Sequence, residues 1–190
     1  MGEHVCPPWL SFLLTNAFRR MAHDPSRILG RFLKEGDVAI DIGCGPGFFT
    51  VPMARRVGED GLVVAVDIHS GMLEKARRRA ERAGVAGRIR FHLGRRDSLG
   101  LDLTADFALA FWMTHEVADR RRLFAEVLSV LKPGGLLLLV EPRMHASDAL
   151  FREIVATAEG VGFEQRGEEV VRLSRAVVLS ASGVRTHEPI

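Results

Sequence analysis

Short runs of apolar residues alternate along this chain with longer segments in which apolar residues recur at helical spacing. The short runs predict strands at 38–42, 62–68, 88–93, 105–113 and 136–141, with two more near 162–169 and 173–181. The longer segments predict helices at 9–21, 25–34, from about 47, 70–84, 121–131 and 147–160. Apolar strands separated by helices of about 10–15 residues form parallel sheets covered on both faces. The pattern therefore predicts an α/β fold with a mostly parallel sheet.

Residues with marked conformational preferences stand at the ends of two predicted helices. Asp24 precedes Pro25, as an N-cap residue precedes a proline in the first helical position. Ser70 is a candidate N-cap of the 70–84 helix, and Gly84 is predicted to end that helix.

Composition limits the class of protein. The chain has 190 residues, of which 47% are hydrophobic and 26% charged, so it is long enough for one globular domain with a substantial core. Its net charge of +2 is too weakly basic to indicate a nucleic-acid partner. Cys6 and Cys44 do not make a disulfide framework. Because no apolar run has the length of a membrane helix and the N-terminus lacks signal-peptide features, we expect a cytoplasmic protein without a membrane partner.

The segment "AIDIGCGPGFFT", residues 39–50, joins the first predicted strand to a glycine-rich loop. Its glycines occupy alternate positions: Gly43, Gly45 and Gly47. The dinucleotide fingerprint G-x-G-x-x-G would need a further glycine where this chain has Phe48, and Asp41 would bring a negative charge towards a pyrophosphate. The loop therefore favours a phosphate-free nucleoside ligand such as S-adenosylmethionine.

An acid at the end of the second predicted strand supports a nucleoside ligand. Asp67 lies twenty positions after Gly47, where an acid can accept hydrogen bonds from ribose hydroxyls. Dinucleotide and S-adenosylmethionine sites share such an acid, so Asp67 does not choose between them.

Ligands of doubly wound sheets bind beyond the carboxyl ends of the strands, where the strand order reverses. The residues that follow the first five predicted strands are therefore expected to line one site: 41–47, 67–68, 94–98, 111–116 and 141–145.

Three motifs in order carry a family resemblance: "VAIDIGCGPGFFT", "VVAVDIHSGML" and "FWMTHEVADRRRLFAEVLSVLKPGGLLLLVEP". Over residues 36–142 the chain resembles class I S-adenosylmethionine-dependent methyltransferases, in particular the small-molecule group that includes the quinone-biosynthesis C-methyltransferases. The resemblance implies a Rossmann-like, doubly wound sheet of seven strands, mostly parallel with an antiparallel last strand, in a three-layer α/β/α sandwich. It also implies an N-terminal helical lid at 1–35, a methyltransferase domain at 36–182 and a flexible tail at 183–190.

The resemblance also implies a set of cofactor-binding residues. Around the methionine portion it places Asp41, Gly43, Cys44, Gly45 and Gly47. Around the ribose and adenine it places Asp67, Ile68 and Met72, and along the cofactor wall Phe111 and Trp112. The family has a Gly-Asp-Ala-like turn after strand three, whereas this chain has "GRRDS", so the adenine contact stays open among Arg96, Asp97 and Ser98.

Four residues are candidates for proton transfer at the acceptor: His115, Glu116, Glu141 and His145. They follow strands four and five, which are neighbours in this architecture, so all four could face one pocket. A base is needed only if the acceptor loses a proton during methyl transfer. Simpler roles stay open, since His115 could pack locally, Glu116 could begin a helix and His145 could be a surface residue.

Two other groups of residues are less informative. His4 and Cys6, together with the three candidates His115, Glu116 and His145, have metal-ligand chemistry, but no pair shows a tight ligand spacing, and we predict no metal. The arginines at 77–82 and 120–122 are typical of solvated helix faces.

The expected function is methyl transfer from S-adenosylmethionine to a small-molecule acceptor that is apolar or aromatic, as Trp9, Phe12, Trp112 and Met113 suggest. A nucleic-acid methyltransferase is the alternative, but the place of its N-P-P-Y-like motif reads "FWMTHE" and the chain has no tyrosine. A noncatalytic S-adenosylmethionine-binding protein and a homodimer that shares pocket walls also stay open.

Overall fold

The computed structural model describes residues 24–182 of the chain. The predicted helix at 9–21, most of the predicted lid and the predicted tail lie outside the described residues. His4, Cys6, Trp9 and Phe12 lie outside them as well.

Helices and strands alternate through the described range. In chain order they are α1 (Pro25–Leu29), β1 (Val38–Ile42), α2 (Thr50–Val57), β2 (Leu62–Asp67), α3 (Ser70–Arg82), β3 (Ile89–Leu93), β4 (Ala105–Phe111), α4 (Arg120–Val130), β5 (Leu131–Pro142), α5 (Asp148–Glu159), β6 (Phe163–Glu168) and β7 (Ser174–Ala181). Short 3-10 turns at Ala86–Arg88 and Thr114–Glu116 precede β3 and α4.

One sheet contains all seven strands, in the order β3-β2-β1-β4-β5-β7-β6. Strands β1 to β5 pair in parallel, whereas β7 pairs antiparallel with both β5 and β6. The predicted seven-stranded, mostly parallel sheet with an antiparallel last strand is confirmed. The strand order reverses between β1 and β4, which places the expected ligand site beyond the carboxyl ends of these strands.

Apolar cores cover both faces of the sheet. Successive residues of each central strand point to opposite faces, so Ala39 belongs to one core and Ile40 to the other. The first core contains residues of α1, α2 and α3, and the second contains residues of α4 and α5. The strands read as continuous apolar runs because both of their faces are buried in this three-layer sandwich.

The predicted bounds of β1 are confirmed. The predicted N-cap role of Asp24 is also confirmed, since the Asp24 carboxylate accepts hydrogen bonds from the N–H groups of Ser26 and Arg27. The helix predicted at 25–34 is wrong in its end, because α1 stops at Leu29 and the following turn packs Leu33 into the core.

One predicted helix start and one predicted N-cap are also wrong. The helix expected from about 47 begins at Thr50, because Gly47 has a left-handed backbone with φ of 78°. Ser70 is not an N-cap but the first residue of α3. His69 is the N-cap residue instead, and its extended backbone directs its N–H to the Asp67 carboxylate.

Two predicted strand bounds differ from the structure by more than one residue. The strand expected at 105–113 ends at Phe111, because Trp112 turns the chain with a left-handed φ of 58°. The strand expected at 136–141 is longer, since β5 begins at Leu131, which pairs with Ala105 across an irregularity in the ladder.

Asp106 joins the three central strands at the end of the sheet opposite to the expected site. Its carboxylate accepts hydrogen bonds from the Val38 N–H of β1 at 3.0 Å and from Lys132 Nζ of β5 at 2.5 Å. Burial works to raise the pKa of this carboxyl, but the hydrogen bonds from Lys132 and Val38 outweigh it and hold the pKa below the ordinary value of 3.8.

The lowered pKa of Asp106 predicts a pH-dependent contribution to stability. A depressed folded-state pKa stabilises the fold above the ordinary pKa, and this contribution is lost as the pH falls through the lowered one. We expect Asp106→Asn to lower the free energy of unfolding by about 1–2 kcal/mol at pH 7, and by less near pH 3. Urea unfolding at both pH values measures the difference, and an equal loss at both would contradict this role of the charge.

Candidate active site

A cavity of about 860 Å³ opens at the carboxyl ends of the central strands. Ten of the predicted site residues line it: Gly43, Asp67, Ile68, Met72, Arg96, Asp97, Trp112, His115, Glu116 and His145. They come from five different loops, which the strand order brings to one edge of the sheet.

The other predicted site residues are Asp41, Cys44, Gly45, Gly47, Phe111 and Glu141, in the glycine loop or at the ends of strands. Asp41 is 3% exposed, and Thr50 Oγ1 donates a hydrogen bond to its carboxylate at 2.6 Å. Phe111 is buried, and its ring packs against those of Phe49 and Trp112 at centroid distances of 4.3 and 5.5 Å. Asp41 and Phe111 therefore support the cavity from behind its surface.

The glycine loop combines close packing with open space. A Cβ atom at Gly47 would come within 3.1 Å of the Ala76 Cβ on α3, and one at Gly43 within 3.0 Å of the Met113 side chain. Around Gly45, which has a left-handed φ of 52°, a Cβ would meet no heavy atom within 4 Å. The loop is therefore held tightly on both sides, and the space beside Gly45 suits the close approach of a ligand to the backbone.

Asp67 connects this loop to β2. Its carboxylate is 8% exposed and accepts hydrogen bonds from the N–H groups of Gly45 and His69, each at 2.9 Å. A carboxylate has about four lone-pair positions, so Asp67 keeps acceptor capacity for the hydroxyl groups of a ligand in the cavity. The residues present thus fit a nucleoside bound by its ribose.

Cys44 does not have the properties of a nucleophile. Burial, followed by the nearby carboxylates of Asp41 and Asp67, raises the pKa of the Cys44 thiol well above its ordinary value. Because the thiolate is the reactive form, the neutral buried thiol is unreactive.

The four predicted proton-transfer residues meet around His115. Glu141 has no exposed surface at the end of β5, and its Oε1 accepts a hydrogen bond from the Thr114 N–H at 2.8 Å. Its Oε2 forms a short hydrogen bond with His115 Nδ1. The rings of His115 and His145 stack in parallel, with centroids 5.8 Å apart and an interplanar angle of 6°.

The surroundings of His115 favour its protonated form. The hydrogen bond that His115 donates to Glu141 raises the pKa of His115, and burial opposes that effect. The charges of Glu141 and Glu116 raise the pKa further, against a smaller opposing contribution from Arg120. The net pKa lies above the ordinary value of 6.5. His115 Nε2 lies 3.8 Å from Glu116 Oε1, and the Glu116 side chain is 76% exposed.

The sequence predicts no role for Thr50 or Thr114, although Thr114 lies within the range 111–116 expected to line the site. Thr114 lies within "FWMTHE", but a fully buried threonine beside a strand is typical of a core position. Thr50 lies nine positions after Asp41, a spacing that matches no recognisable motif.

Two further features were sought between residues 24 and 182. No helix in this range is long and apolar enough to cross a membrane. The same range has no group of three His, Cys, Asp or Glu side chains placed to hold a metal ion.

The sheet order, the glycine loop and the acid at the end of β2 define a class I S-adenosylmethionine-binding methyltransferase fold. A family model described as a methyltransferase domain matches residues 39–135, which is just over half of the chain. The chain belongs to this methyltransferase domain family. The prediction of a class I S-adenosylmethionine-dependent methyltransferase, with S-adenosylmethionine as its cofactor, is confirmed.

Individual relatives agree with this assignment. The chain is 38% identical over 109 residues to a demethylmenaquinone methyltransferase of Symbiobacterium thermophilum, a match that covers 57% of this chain and 43% of the relative. It is 33% identical over 133 residues to a ubiquinone/menaquinone biosynthesis C-methyltransferase of Haemophilus ducreyi, covering 70% of this chain and 49% of the relative. The chain thus spans about half the length of these relatives.

A solved structure shows the same fold. The crystal structure of an S-adenosylmethionine-dependent methyltransferase from Aquifex aeolicus superposes with a TM-score of 0.77. The match has 24% sequence identity and covers 86% of this chain and 92% of the other.

The position of Asp67 predicts its effect on cofactor binding. Because Asp67 both holds Gly45 and faces the cavity, we expect Asp67→Ala to weaken binding of S-adenosylhomocysteine at least tenfold, as loss of one charge-assisted hydrogen bond would. Isothermal titration calorimetry measures the affinity. Asp60→Ala, at an exposed position before β2, is the matched control and should bind normally. Equal affinities of the two variants would contradict a role of Asp67 in binding.

Proposed function

We propose that this chain transfers the methyl group of S-adenosylmethionine to a small, apolar or aromatic acceptor, with His115 as the general base. One observation carries the proposal: the fully buried carboxylate of Glu141 is hydrogen-bonded to His115, which lines the cavity. A histidine whose role is only local packing does not need a hydrogen bond to a buried carboxylate. The arrangement resembles the acid–histidine pairs that hold a base in one tautomer.

The hydrogen bond to Glu141 determines which nitrogen of His115 can act. With Nδ1–H donating to Glu141, the neutral ring presents Nε2 as an acceptor. An acceptor hydroxyl or acidic C–H in the cavity would give its proton to Nε2 as its own atom attacks the methyl group. The Glu141 charge then stabilises the imidazolium that forms. S-adenosylmethionine supplies, when bound, the electrophilic methyl group on its sulfonium centre.

The remaining predicted residues divide between donor and acceptor. We propose that Asp67, Ile68 and Met72 hold the ribose and adenine, and that Arg96 and Asp97 lie at the adenine edge. The glycine loop, with Asp41 behind it, holds the methionine portion. Holding the two reactants in line supplies much of the rate acceleration in a displacement of this kind. The predicted lid at 1–35 would close over both.

The cavity wall supports an apolar or aromatic acceptor. Near His115 it contains Trp112, Met113, Val117 and Pro142. Pockets lined in this way bind ligands with apolar surfaces, and a few polar groups orient them. The quinone-related names of the relatives agree with a reduced quinone or phenol, whose ring hydroxyl or ring carbon loses a proton on methylation.

The proposal is tested by transfer of labelled methyl from S-adenosylmethionine to separate acceptors. Demethylated benzoquinols and naphthoquinols, simple phenols and bulk RNA form the panel. We expect label in at least one aromatic acceptor and none in RNA. Label in RNA alone would overturn the small-molecule assignment. Cofactor binding without transfer to any acceptor would favour the noncatalytic alternative.

The raised pKa of His115 predicts the pH dependence of transfer. A base must be neutral to act, so kcat/KM should rise with pH, and the midpoint of this limb should lie above 6.5. In Glu141→Gln the main cause of the raised pKa is removed, so the midpoint should move to lower pH and the plateau should fall by about 10²-fold or more.

Glu116→Gln is the matched control for Glu141→Gln. It removes an exposed charge 3.8 Å from the other ring nitrogen, so it should shift the midpoint in the same direction but less. Cofactor affinity should stay unchanged in both variants. A pH profile of Glu141→Gln that coincides with the unmodified protein would exclude His115 as the base.

A further inference from the structure

Two residues adopt a backbone conformation that is unfavourable for side chains other than glycine. Between residues 24 and 182, Trp112 and Leu173 are the non-glycine residues with positive φ, at 58° and 60°. They lie 61 positions apart in the sequence, yet they stand on neighbouring loops at the same end of the sheet. Strained conformations persist where surrounding contacts enforce them, often at functional sites.

Ser174, the first residue of β7, connects the two loops. Trp112 Nε1 donates a hydrogen bond to Ser174 Oγ at 2.9 Å, and Ser174 Oγ donates to the Arg172 carbonyl at 3.2 Å. The Ser174 carbonyl accepts a hydrogen bond from Arg143 Nε at 3.1 Å, and the Leu173 carbonyl accepts one from the Arg143 N–H at 3.0 Å. Ser174 is buried, and its bonds with Trp112, Arg172 and Arg143 are partly buried.

These bonds reach both histidine-bearing loops. Trp112 lies three residues before His115, and Arg143 lies two residues before His145. The left-handed turn at Trp112 sends the chain back so that the Thr114 N–H reaches Glu141. The turn at 172–174 therefore contacts the β4 loop through a side chain and the β5 loop through its backbone, and the rings of His115 and His145 stack between these loops.

We propose that Ser174 is a positioning residue of the active site: by holding the Trp112 indole, it fixes the loop that places His115 against Glu141 and beside His145. The proposal rests on the proposed function for its effect on transfer, but its effect on geometry does not. Ser174 itself does not line the cavity and acts through Trp112, which does.

The same strand offers a matched control. Ser180 is also buried on β7, and its hydroxyl accepts a hydrogen bond from Arg166 Nε at 2.7 Å. Ser180 pairs with Leu136 of β5, away from the cavity. Ser174→Ala and Ser180→Ala thus remove comparable buried hydroxyls from one strand, and only the first should disturb the site.

The experiment uses the full chain. Titration and transfer are measured with Trp9 in place, and emission is measured in a Trp9→Phe background, which leaves Trp112 as the one tryptophan, since the sequence contains two. Tryptophan emission reports the environment of Trp112, and NMR titration reports the pKa of His115, which is faced by Glu141, Glu116, Arg120 and His145. In Ser174→Ala we expect a shifted emission maximum and a His115 pKa that falls towards 6.5, because the contact with Glu141 loosens.

Transfer to the best aromatic acceptor should fall about tenfold in kcat with little change in the KM for S-adenosylmethionine, as expected when a reacting group is misplaced. Ser174→Thr, which keeps the hydroxyl, should restore all three properties. Ser180→Ala should leave them unchanged even if it lowers the melting temperature.

Equal His115 titration and Trp112 emission in Ser174→Ala and Ser180→Ala would overturn the proposal. If Ser174→Ala does not fold, Trp112→Phe removes the same hydrogen bond from the other side, and an unaltered His115 titration in that variant would overturn the proposal as well. If no acceptor is methylated, the proposed function fails, whereas emission and titration still decide the role of Ser174.

Discussion

A carboxylate with no exposed surface is the constraint on which the active site depends. A buried, unpaired charge costs several kcal/mol, so the fold must supply donors to both oxygens of Glu141. The Thr114 N–H and the His115 ring supply them, and both lie on the loop after the neighbouring strand β4. The path of that loop, including the strained turn at Trp112, follows from the need to bring these donors to the end of β5.

Other buried acids along this edge of the sheet also accept hydrogen bonds from neighbouring segments. Asp41, Asp67 and Glu141 end β1, β2 and β5 or lie one residue from the end, and each is 8% exposed or less. Each accepts hydrogen bonds from a neighbouring loop or helix: Asp41 from Thr50, Asp67 from the glycine loop, and Glu141 from the turn after β4. Buried acids at strand ends thus organise the loops, and the remaining lone pairs and the attached histidine face the cavity.

Contacts between residues that are close in the sequence can be predicted from it, whereas contacts between distant residues cannot. The predicted and the missed parts of this site differ in this respect. The strands, their mostly parallel pairing, and the acids at their ends are visible in local patterns, and β1 has the predicted bounds. The contact between Trp112 and Ser174 spans 62 positions and depends on a left-handed tryptophan that no local preference indicates. The early start of β5 was missed for a similar reason, since a Lys-Pro-Gly-Gly segment predicts a turn, whereas pairing of Leu131 with Ala105 extends the strand.

This difference separates the proposed donor half of the site from the proposed acceptor half. Most of the donor half lies between Asp41 and Met72, a short stretch in which the glycine spacing and Asp41 favour a nucleoside without phosphate. Arg96 and Asp97 at the proposed adenine edge and Trp112 on the proposed cofactor wall lie outside that stretch. The acceptor half combines the loops after β4 and β5 with the turn before β7, which meet only in the folded chain. Changes in any of these three loops can reshape the acceptor pocket without touching the donor contacts. The cofactor is therefore readable from sequence, whereas the proposed acceptor pocket depends on long-range contacts such as the one between Trp112 and Ser174.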